Sequence, residues 1–361
     1  MKKTVKNILF RMNVKGNGIV NYDSSEQKWL YNGTNLNHMK TMHDNTSYAK
    51  KKVYGEQNNL KYKISISADC LRHEIFKDDV MFQSPNLINS PALLYSFIAS
   101  PVGLLRGYLF AEQGEQLKRK SAITLIDAQQ TCDAVSYIET FSRSGLKNQD
   151  IDKTDNSFFK KEVVGDIKYA TEGNIDLAQM QFVSASQLFD RYGFNPDLFD
   201  TYKQFLKSKL PSFNSELGYY NMKGSSVELS EFGFMLSDED IQNLVKLFFK
   251  KLLAMNIRRK NAYARTESLE YKLVYDAIED KFEDENGWVS IKGVEDISNI
   301  DFSTEQFYVQ EDTKLAEEKN AYIQADYEKR KQSKKDKDAE KKAAKKTAKN
   351  KSEETNTEDH E

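Results

Sequence analysis

Residues 63–76 change from the periodicity of a strand to that of a helix within a few positions. Ile64 and Ile66 alternate with polar neighbours, a pattern typical of a half-buried β-strand. Ser67 then stands where a helix N-cap belongs, because its hydroxyl can accept a hydrogen bond from an amide of the first turn. The sequence therefore predicts a strand-to-helix corner, and the helix carries Arg72.

A second corner lies at Gly103–Phe110, with the sequence GLLRGYLF. Its arginine, Arg106, stands beside a turn-forming glycine, and glycines allow another group to approach the backbone closely. Free amides at a helix start also attract phosphate oxygens. Together with Arg72, this segment indicates a surface that holds phosphates.

The other regular segments mix helices and strands without a repeating β-α alternation. The predicted elements are a first strand within Val5–Tyr22, two strands at Glu162–Ala170 and Asn174–Ser184 that form a hairpin around Glu172 and Gly173, a helix at Pro196–Leu210, strands within Val227–Leu236 and a helix at Ser237–Met255. The last helix has a serine cap and one apolar stripe. The mixture favours an α+β fold over a doubly wound α/β fold.

The chain divides into a body of residues 1–328 and a low-complexity tail of residues 329–361. Residues 24–60 are polar and lack periodicity, so we predict an insertion there. The tail holds 12 basic and eight acidic side chains of the chain's 53 and 55, which leaves the body with a net charge of −6. We expect the tail to be disordered. Either a basic arm for nucleic acid or a solvated tail accounts for its composition.

Composition and motifs exclude several functional classes. No apolar segment is long enough to span a membrane and no signal peptide is present, so we expect a soluble, cytoplasmic protein. Cys70 and Cys132 provide neither a disulfide framework nor metal spacing. His38 and His43, beside Asp44, fit a solvated loop better than a metal site. No nucleophile, acid–base pair or cofactor motif is present.

Basic residues beside aromatic residues or turns occur at three further places. They are Arg143 in the segment FSRSG, the run Phe158, Phe159, Lys160 and Lys161, and Arg258, Arg259 and Lys260, which we expect to terminate the long helix. Each cluster alone fits an ordinary charged surface or a helix end. Together they favour single-stranded nucleic acid, which basic grooves and stacking aromatics bind.

Five segments, in this order, resemble the backbone subunit of type I CRISPR Cascade complexes, in the RAMP superfamily, and are most similar to the type I-F variant form. They are GNGIVNYD (Gly16–Asp23), YKISISADCLRHEIF (Tyr62–Phe76), GLLRGYLF, TDNSFFKKEVVGDIKYATEGNIDLAQMQFVS (Thr154–Ser184) and NIRRKNAYAR (Asn256–Arg265). Each motif is moderately specific, and their ordered combination is much more so. The basic tail and residues 24–60 depart from the family pattern.

The resemblance implies a modified RRM/ferredoxin-like palm, a finger insertion and a β-hairpin thumb at about residues 155–184. It also implies a non-catalytic subunit that polymerises along a crRNA, with target DNA paired to the guide and other Cascade subunits as further partners. The RNA contacts carried over are Arg72 and Arg106 first, then His73, Arg143, Lys160, Lys161, Arg258 and Arg259. Phe158 and Phe159 would either support the wedge of the thumb or be buried for structural reasons.

Two other functions stay open at this point. The first is a target-RNA ribonuclease, because type III relatives of the superfamily use an aspartate near the N-terminus, and Asp23 or Asp44 lies in loosely comparable sequence. The second is an interaction scaffold that assembles without RNA. We expect no cofactor.

Overall fold

The computed structural model describes residues 3–23, 29–31, 34–36, 46–54, 61–77, 91–112, 115–146, 154–186, 191–224, 230–276 and 281–323, with 325–326, 328–330 and 332–333. The strands are β1 (Asn7–Asn17), β2 (Tyr22–Asp23), β3 (Trp29–Tyr31), β4 (Thr34–Leu36), β5 (Thr46–Ala49), β6 (Lys51–Tyr54), β7 (Lys61–Ile66), β8 (Tyr108–Glu112), β9 (Glu115–Arg119), β10 (Ile123–Leu125), β11 (Ala128–Gln130), β12 (Ser136–Leu146), β13 (Thr154–Val164), β14 (Asp166–Asp176), β15 (Phe182–Ser184), β16 (Gly218–Met222), β17 (Glu231–Met235), β18 (Asn256–Arg259), β19 (Ala262–Val274), β20 (Val289–Ile291) and β21 (Tyr308–Glu311). The helices are α1 (Ala68–Phe76), α2 (Pro91–Ile98), α3 (Pro101–Arg106), α4 (Leu177–Gln181), α5 (Phe199–Lys209), α6 (Asp238–Leu253) and α7 (Val294–Ser298), with a 3₁₀ turn at Pro196–Leu198.

An antiparallel sheet organises the described part of the chain. Its strands run in the order β18-β19-β1-β14-β11-β7-β6, with β10 also paired to β14 and β20 to β19. In β1 the side chains of Ile8, Phe10 and Met12 are buried, while Asn13 on the opposite face is exposed. This alternation confirms the strand predicted within Val5–Tyr22. Helices and strands are mixed without βαβ repetition, as predicted.

Helices α1 and α6 cover one face of this sheet. Phe248 of α6 meets Phe10 edge-on at 5.4 Å between ring centroids and stacks on Phe76 of α1 at 6.2 Å. Ser237 and Asp240 form the expected capping box at the start of α6. Each fully buried phenylalanine contributes roughly 1.5–3 kcal/mol. The apolar stripe of α6 therefore fixes α1 against the sheet.

The hairpin predicted around Glu172 and Gly173 is wrong. Strand β14 passes through both residues without a turn and pairs with β1 along its whole length. A Cβ at Gly173 would lie 2.1 Å from the carbonyl oxygen of Thr124 and 2.5 Å from the ring of Phe10. This glycine therefore serves close packing inside a strand and not a turn.

A different hairpin stands beside the sheet. Strands β12 and β13 pair in antiparallel register from Ser136 opposite Val164 to Leu146 opposite Thr154. The chain then turns at the exposed Gly165 and continues into β14. We call this β12–β13 hairpin the ribbon. It lies partly within the region expected to hold a thumb, but it begins earlier and ends at residue 164.

The predicted insertion, residues 24–60, contains short strands where the structure describes it. β5 pairs in parallel with β13 of the ribbon, and β6 pairs with β7 of the main sheet. The insertion therefore connects the ribbon to the strand that leads into α1.

The tail beyond residue 333, together with His38, His43 and Asp44, lies outside the described residues. No helix within the described ranges has the length and hydropathy that a membrane span requires.

Candidate nucleic-acid interface

Helix α1 presents Arg72 at the surface of the body. Ser67 caps the helix as predicted, with its hydroxyl oxygen 3.3 Å from the amide nitrogen of Cys70. The Arg72 side chain is one-third exposed and lies 3.2 Å from Asp69. Its Nε is buried and has no hydrogen-bond acceptor among the described residues. Because an unsatisfied buried donor costs roughly 1–3 kcal/mol, this atom is suited to meet an acceptor on a ligand.

Helix α3 brings Arg106 to the same place. Ser100 caps its N-terminus, and Gly107 follows its last residue with a φ of 75°. Burial lowers the pKa of the Arg106 guanidinium, and the nearby charge of Arg72 lowers it further. The charges of the two corners predicted separately therefore lie close enough to interact. The carboxylate of Asp69 beside them is 92% exposed.

A positive pair of this kind attracts an anion. Arg72 and Arg106 repel each other, and a phosphate between them would remove that repulsion while accepting charge-assisted hydrogen bonds. Asp69 contributes little compensation, because a solvent-exposed ion pair is worth about 0–1 kcal/mol. We call Arg72, Arg106 and Asp69 the arginine corner. That it contacts RNA stays a prediction.

Arg259 lies near α1 but is engaged in a structural ion pair. Its guanidinium lies 3.0 Å from the buried carboxylate of Glu74, whose other oxygen lies 2.8 Å from the ammonium of Lys77. This ion pair fastens the turn between β18 and β19 to α1. Arg258 is exposed. An RNA contact by Arg259 would share its guanidinium with Glu74.

The expectation that Arg258, Arg259 and Lys260 terminate the long helix is wrong. Helix α6 ends at Leu253, and the chain continues as β18 after the buried Met255. Ile257 is fully buried opposite Ala264 of β19. Burial of this β-branched side chain in a strand outweighs continuation of the helix.

The Glu74 ion pairs make the stability of this region depend on pH. Although burial raises it, hydrogen bonds from Lys77 and Arg259 hold the pKa of Glu74 below its usual value. The stabilisation is therefore fully present above the ordinary pKa of a glutamate, about 4.3, and is lost as the pH falls through the lower pKa of Glu74 in the folded protein. We expect the free energy of unfolding to fall less steeply with acidification in Glu74→Gln, measured by urea unfolding at a series of pH values. Identical slopes in the two proteins would contradict this.

The ribbon carries the second group of predicted contacts. Phe159 stacks on Phe141 with ring centroids 5.6 Å apart, and the ammonium of Lys161 lies 5.3 Å from the Phe159 ring and 5.4 Å from that of Tyr22. Lys160 points to the other face and is exposed. One face of the ribbon therefore combines stacked rings with a cation, which suits unpaired bases.

For the other predicted site residues, the structure gives a strand position or an exposure. Strand register sets Arg143 opposite Ser157 and Phe158 opposite Ser142, and both side chains lie outside the described part of the structure. His73 is exposed on α1. Asp23 ends β2 opposite Tyr48, and within the described ranges no group of histidine, cysteine and acidic residues could hold a metal ion.

Sequence reasoning missed Glu162, which lies at the root of the ribbon. Its carboxylate is buried, lies 2.7 Å from the equally buried ammonium of Lys51, and accepts hydrogen bonds from the Ser136 hydroxyl at 2.5 Å and the Ala49 amide at 3.0 Å. These partners belong to β12, β5 and β6. The only signal in the sequence is that Glu162 interrupts an apolar–polar alternation. From the sequence, this glutamate looks like an ordinary exposed acid.

The sequence matches a known protein family. Residues 4–276 match the family described as Type I-Fv CRISPR-associated protein Cas7fv-like, which places the chain among the CRISPR-associated proteins of type I systems. Because the match covers most of the chain, the protein belongs to the Cas7fv-like family. This confirms the resemblance inferred from the five motifs.

Solved structures of low similarity include two components of surveillance complexes. One, titled CRISPR RNA-guided surveillance complex, pre-nicking, is 10% identical over 73% of this chain and 75% of that chain, with a TM-score of 0.35. Another, titled CRISPR RNA-guided surveillance complex, is 9% identical over 73% and 68%, with a TM-score of 0.31. No curated protein matches the chain.

Proposed function

We propose that this protein is a non-catalytic crRNA-binding subunit that polymerises along the guide to form the backbone of a Cascade interference complex. The observation that carries the proposal is the arginine corner, in which the charges of two arginines from different segments interact and one of them, Arg72, holds an unsatisfied buried Nε. Membership of the Cas7fv-like family supports the same function.

The proposed mechanism rests on contacts to the RNA backbone. Phosphate contacts carry no sequence information, so one surface can hold any spacer while the Watson–Crick edges stay free to pair with target DNA. In this proposal the main sheet with α1 and α6 is the palm, the ribbon is the thumb, and residues 24–60 form the fingers. The stacked Phe141 and Phe159 stiffen the ribbon where it would separate neighbouring bases.

Purification of the protein with its RNA tests this proposal. We expect bound small RNAs whose nuclease-protected lengths rise in even steps, because each added copy would cover the same length of spacer. The assembly should shrink after complete RNA digestion. Assemblies of unchanged size, or RNA-free monomers at low salt, would contradict the proposal. Regular cuts in a complementary RNA that disappear in Asp23→Ala would favour a ribonuclease instead.

A further inference from the structure

A second basic feature, separate from the arginine corner, is a cavity of about 480 Å³. It lies between the β8–β9 hairpin and the sheet formed by β15, β17, β16 and β21. Four cationic residues line it, namely Lys118, Arg119, Lys120 and Arg191, and none of its lining residues is acidic. Phe182 and Tyr308, stacked at 4.8 Å between ring centroids, form part of its wall. We call it the β9 cavity.

Arg119 gives the β9 cavity a buried positive charge. The residue is 7% exposed, and its guanidinium donates to the carbonyl oxygens of Phe182 at 2.8 Å, Gln179 at 2.9 Å, and Leu104 and Met180 at 3.3 Å. Within the described ranges no carboxylate pairs with it. Burial lowers its pKa accordingly. Carbonyl dipoles satisfy its hydrogen bonds but do not neutralise its charge, so the cavity favours an anion.

The other cations keep the β9 cavity positive. Lys120 is exposed and forms no ion pair with any residue that the structure describes. The guanidinium of Arg191 lies 3.0 Å from the carboxylate of Glu231, so that carboxylate already has a cationic partner. The Lys118 amide donates to the carbonyl oxygen of Tyr192 at 2.8 Å, which fastens the Arg191 segment to β9. The positive side chains are thus held on a hydrogen-bonded frame.

The backbone joins the β9 cavity to the arginine corner at Gly107. Gly107, which directly follows Arg106, packs so closely on β9 that a Cβ there would lie 2.3 Å from the carbonyl oxygen of Arg119 and 2.8 Å from the carbonyl carbon of Lys120. Arg106 and Lys120 therefore belong to adjoining pieces of backbone.

We propose that the β9 cavity holds a backbone phosphate of the same RNA strand that the arginine corner contacts. This inference rests on the proposed function. An RNA phosphate fits the observations better than an acidic peptide does, because the backbone beside Arg106 packs on that of Arg119 and Lys120 and so joins the cavity to the arginine corner. The alternative occupant is the chain's own segment 352–361, which has five acidic residues and no lysine or arginine.

The test compares Lys118→Ala/Lys120→Ala with Lys292→Ala in the full chain. Lys292 is exposed directly after β20, which pairs with β19 of the main sheet, and it does not line the β9 cavity. We expect the double variant to bind single-stranded RNA about tenfold more weakly at low salt. The slope of log affinity against log salt should flatten by about 0.7 for each phosphate that the variant no longer neutralises. Tripolyphosphate should raise the melting temperature of the RNA-free wild type more than that of the double variant.

The outcomes separate this inference from the proposed function. If the lysine variant binds RNA like Lys292→Ala while the arginine-corner variant does not bind, the cavity assignment fails and the proposed function stands. If neither variant loses RNA affinity, both fail. A third result would place the tail in the cavity and overturn the assignment. In that result tripolyphosphate stabilises the chain only after residues 352–361 are deleted, and the Lys118→Ala/Lys120→Ala variant binds RNA as tightly as the wild type.

Discussion

Reversing both charges of the arginine corner, in Arg72→Glu/Arg106→Glu, is expected to weaken RNA binding on the order of 100-fold at moderate salt. Charge-assisted hydrogen bonds contribute about 1.5–3 kcal/mol each, and the introduced carboxylates repel phosphates in addition. The salt dependence should flatten as well, because fewer counterions are released when fewer phosphates are neutralised. Binding of labelled single-stranded RNA at several salt concentrations measures both effects.

Three matched variants control this experiment. Lys292→Glu changes the net charge in the same direction at a residue that belongs neither to the arginine corner nor to the lining of the β9 cavity, so its effect should be small. Asp69→Asn removes the corner's carboxylate and should strengthen binding. Arg72→Lys keeps the charge but removes the Nε donor, so its affinity should fall while the salt slope stays unchanged. A double arginine variant that is folded and binds RNA like Lys292→Glu would refute the role assigned to the corner.

Removing the carboxylate at the root of the ribbon, in Glu162→Ala, is expected to destabilise the protein by about 3–5 kcal/mol. The change leaves the buried ammonium of Lys51 without its counterion and removes the acceptor for Ser136 and Ala49. A loss of this size follows because an unpaired buried charge is far more costly than a missing surface interaction. Urea unfolding followed by tryptophan fluorescence gives the free energy difference.

The partner substitution tests the cause of that loss. In Lys51→Met/Glu162→Gln no charge is buried, and the amide oxygen can accept from the Ala49 amide while the NH2 group donates to the Ser136 hydroxyl. We therefore expect this double variant to be more stable than Glu162→Ala, with a coupling between the two sites that a double-mutant cycle measures. If Lys51→Met/Glu162→Gln is no more stable than Glu162→Ala, the ion pair does not hold the ribbon.

Local patterns predicted what depends on local physics. The alternation of Ile64 and Ile66 and the cap at Ser67 were sufficient to predict β7 and α1, because strand period and capping are decided within a few residues. Gly173 misled the prediction, since a turn and a close approach to Phe10 leave the same trace in a sequence. Only the fold distinguishes them.

Long-range pairing explains what the sequence could not predict. Glu162 is buried because Lys51, on a distant strand, lies against it, and no local pattern connects the two. Likewise Arg259 looks like an open RNA contact until Glu74 of α1 is found beside it. The sequence indicated a phosphate-holding surface from the similar settings of Arg72 and Arg106, and only the fold brings their charges close enough to interact.

The pairing of β1 has a consequence for how the protein is made. Leu9 lies between Asn174 of β14 and Lys272 of β19, both of which leave the ribosome much later. Translation proceeds at about 5–20 residues per second, so β19 is synthesised roughly 13–50 s after β1. During this time β1 lacks its second pairing strand. A ribosome that stalls before β19 therefore holds a chain whose β1 has one unpaired edge, which can template aggregation.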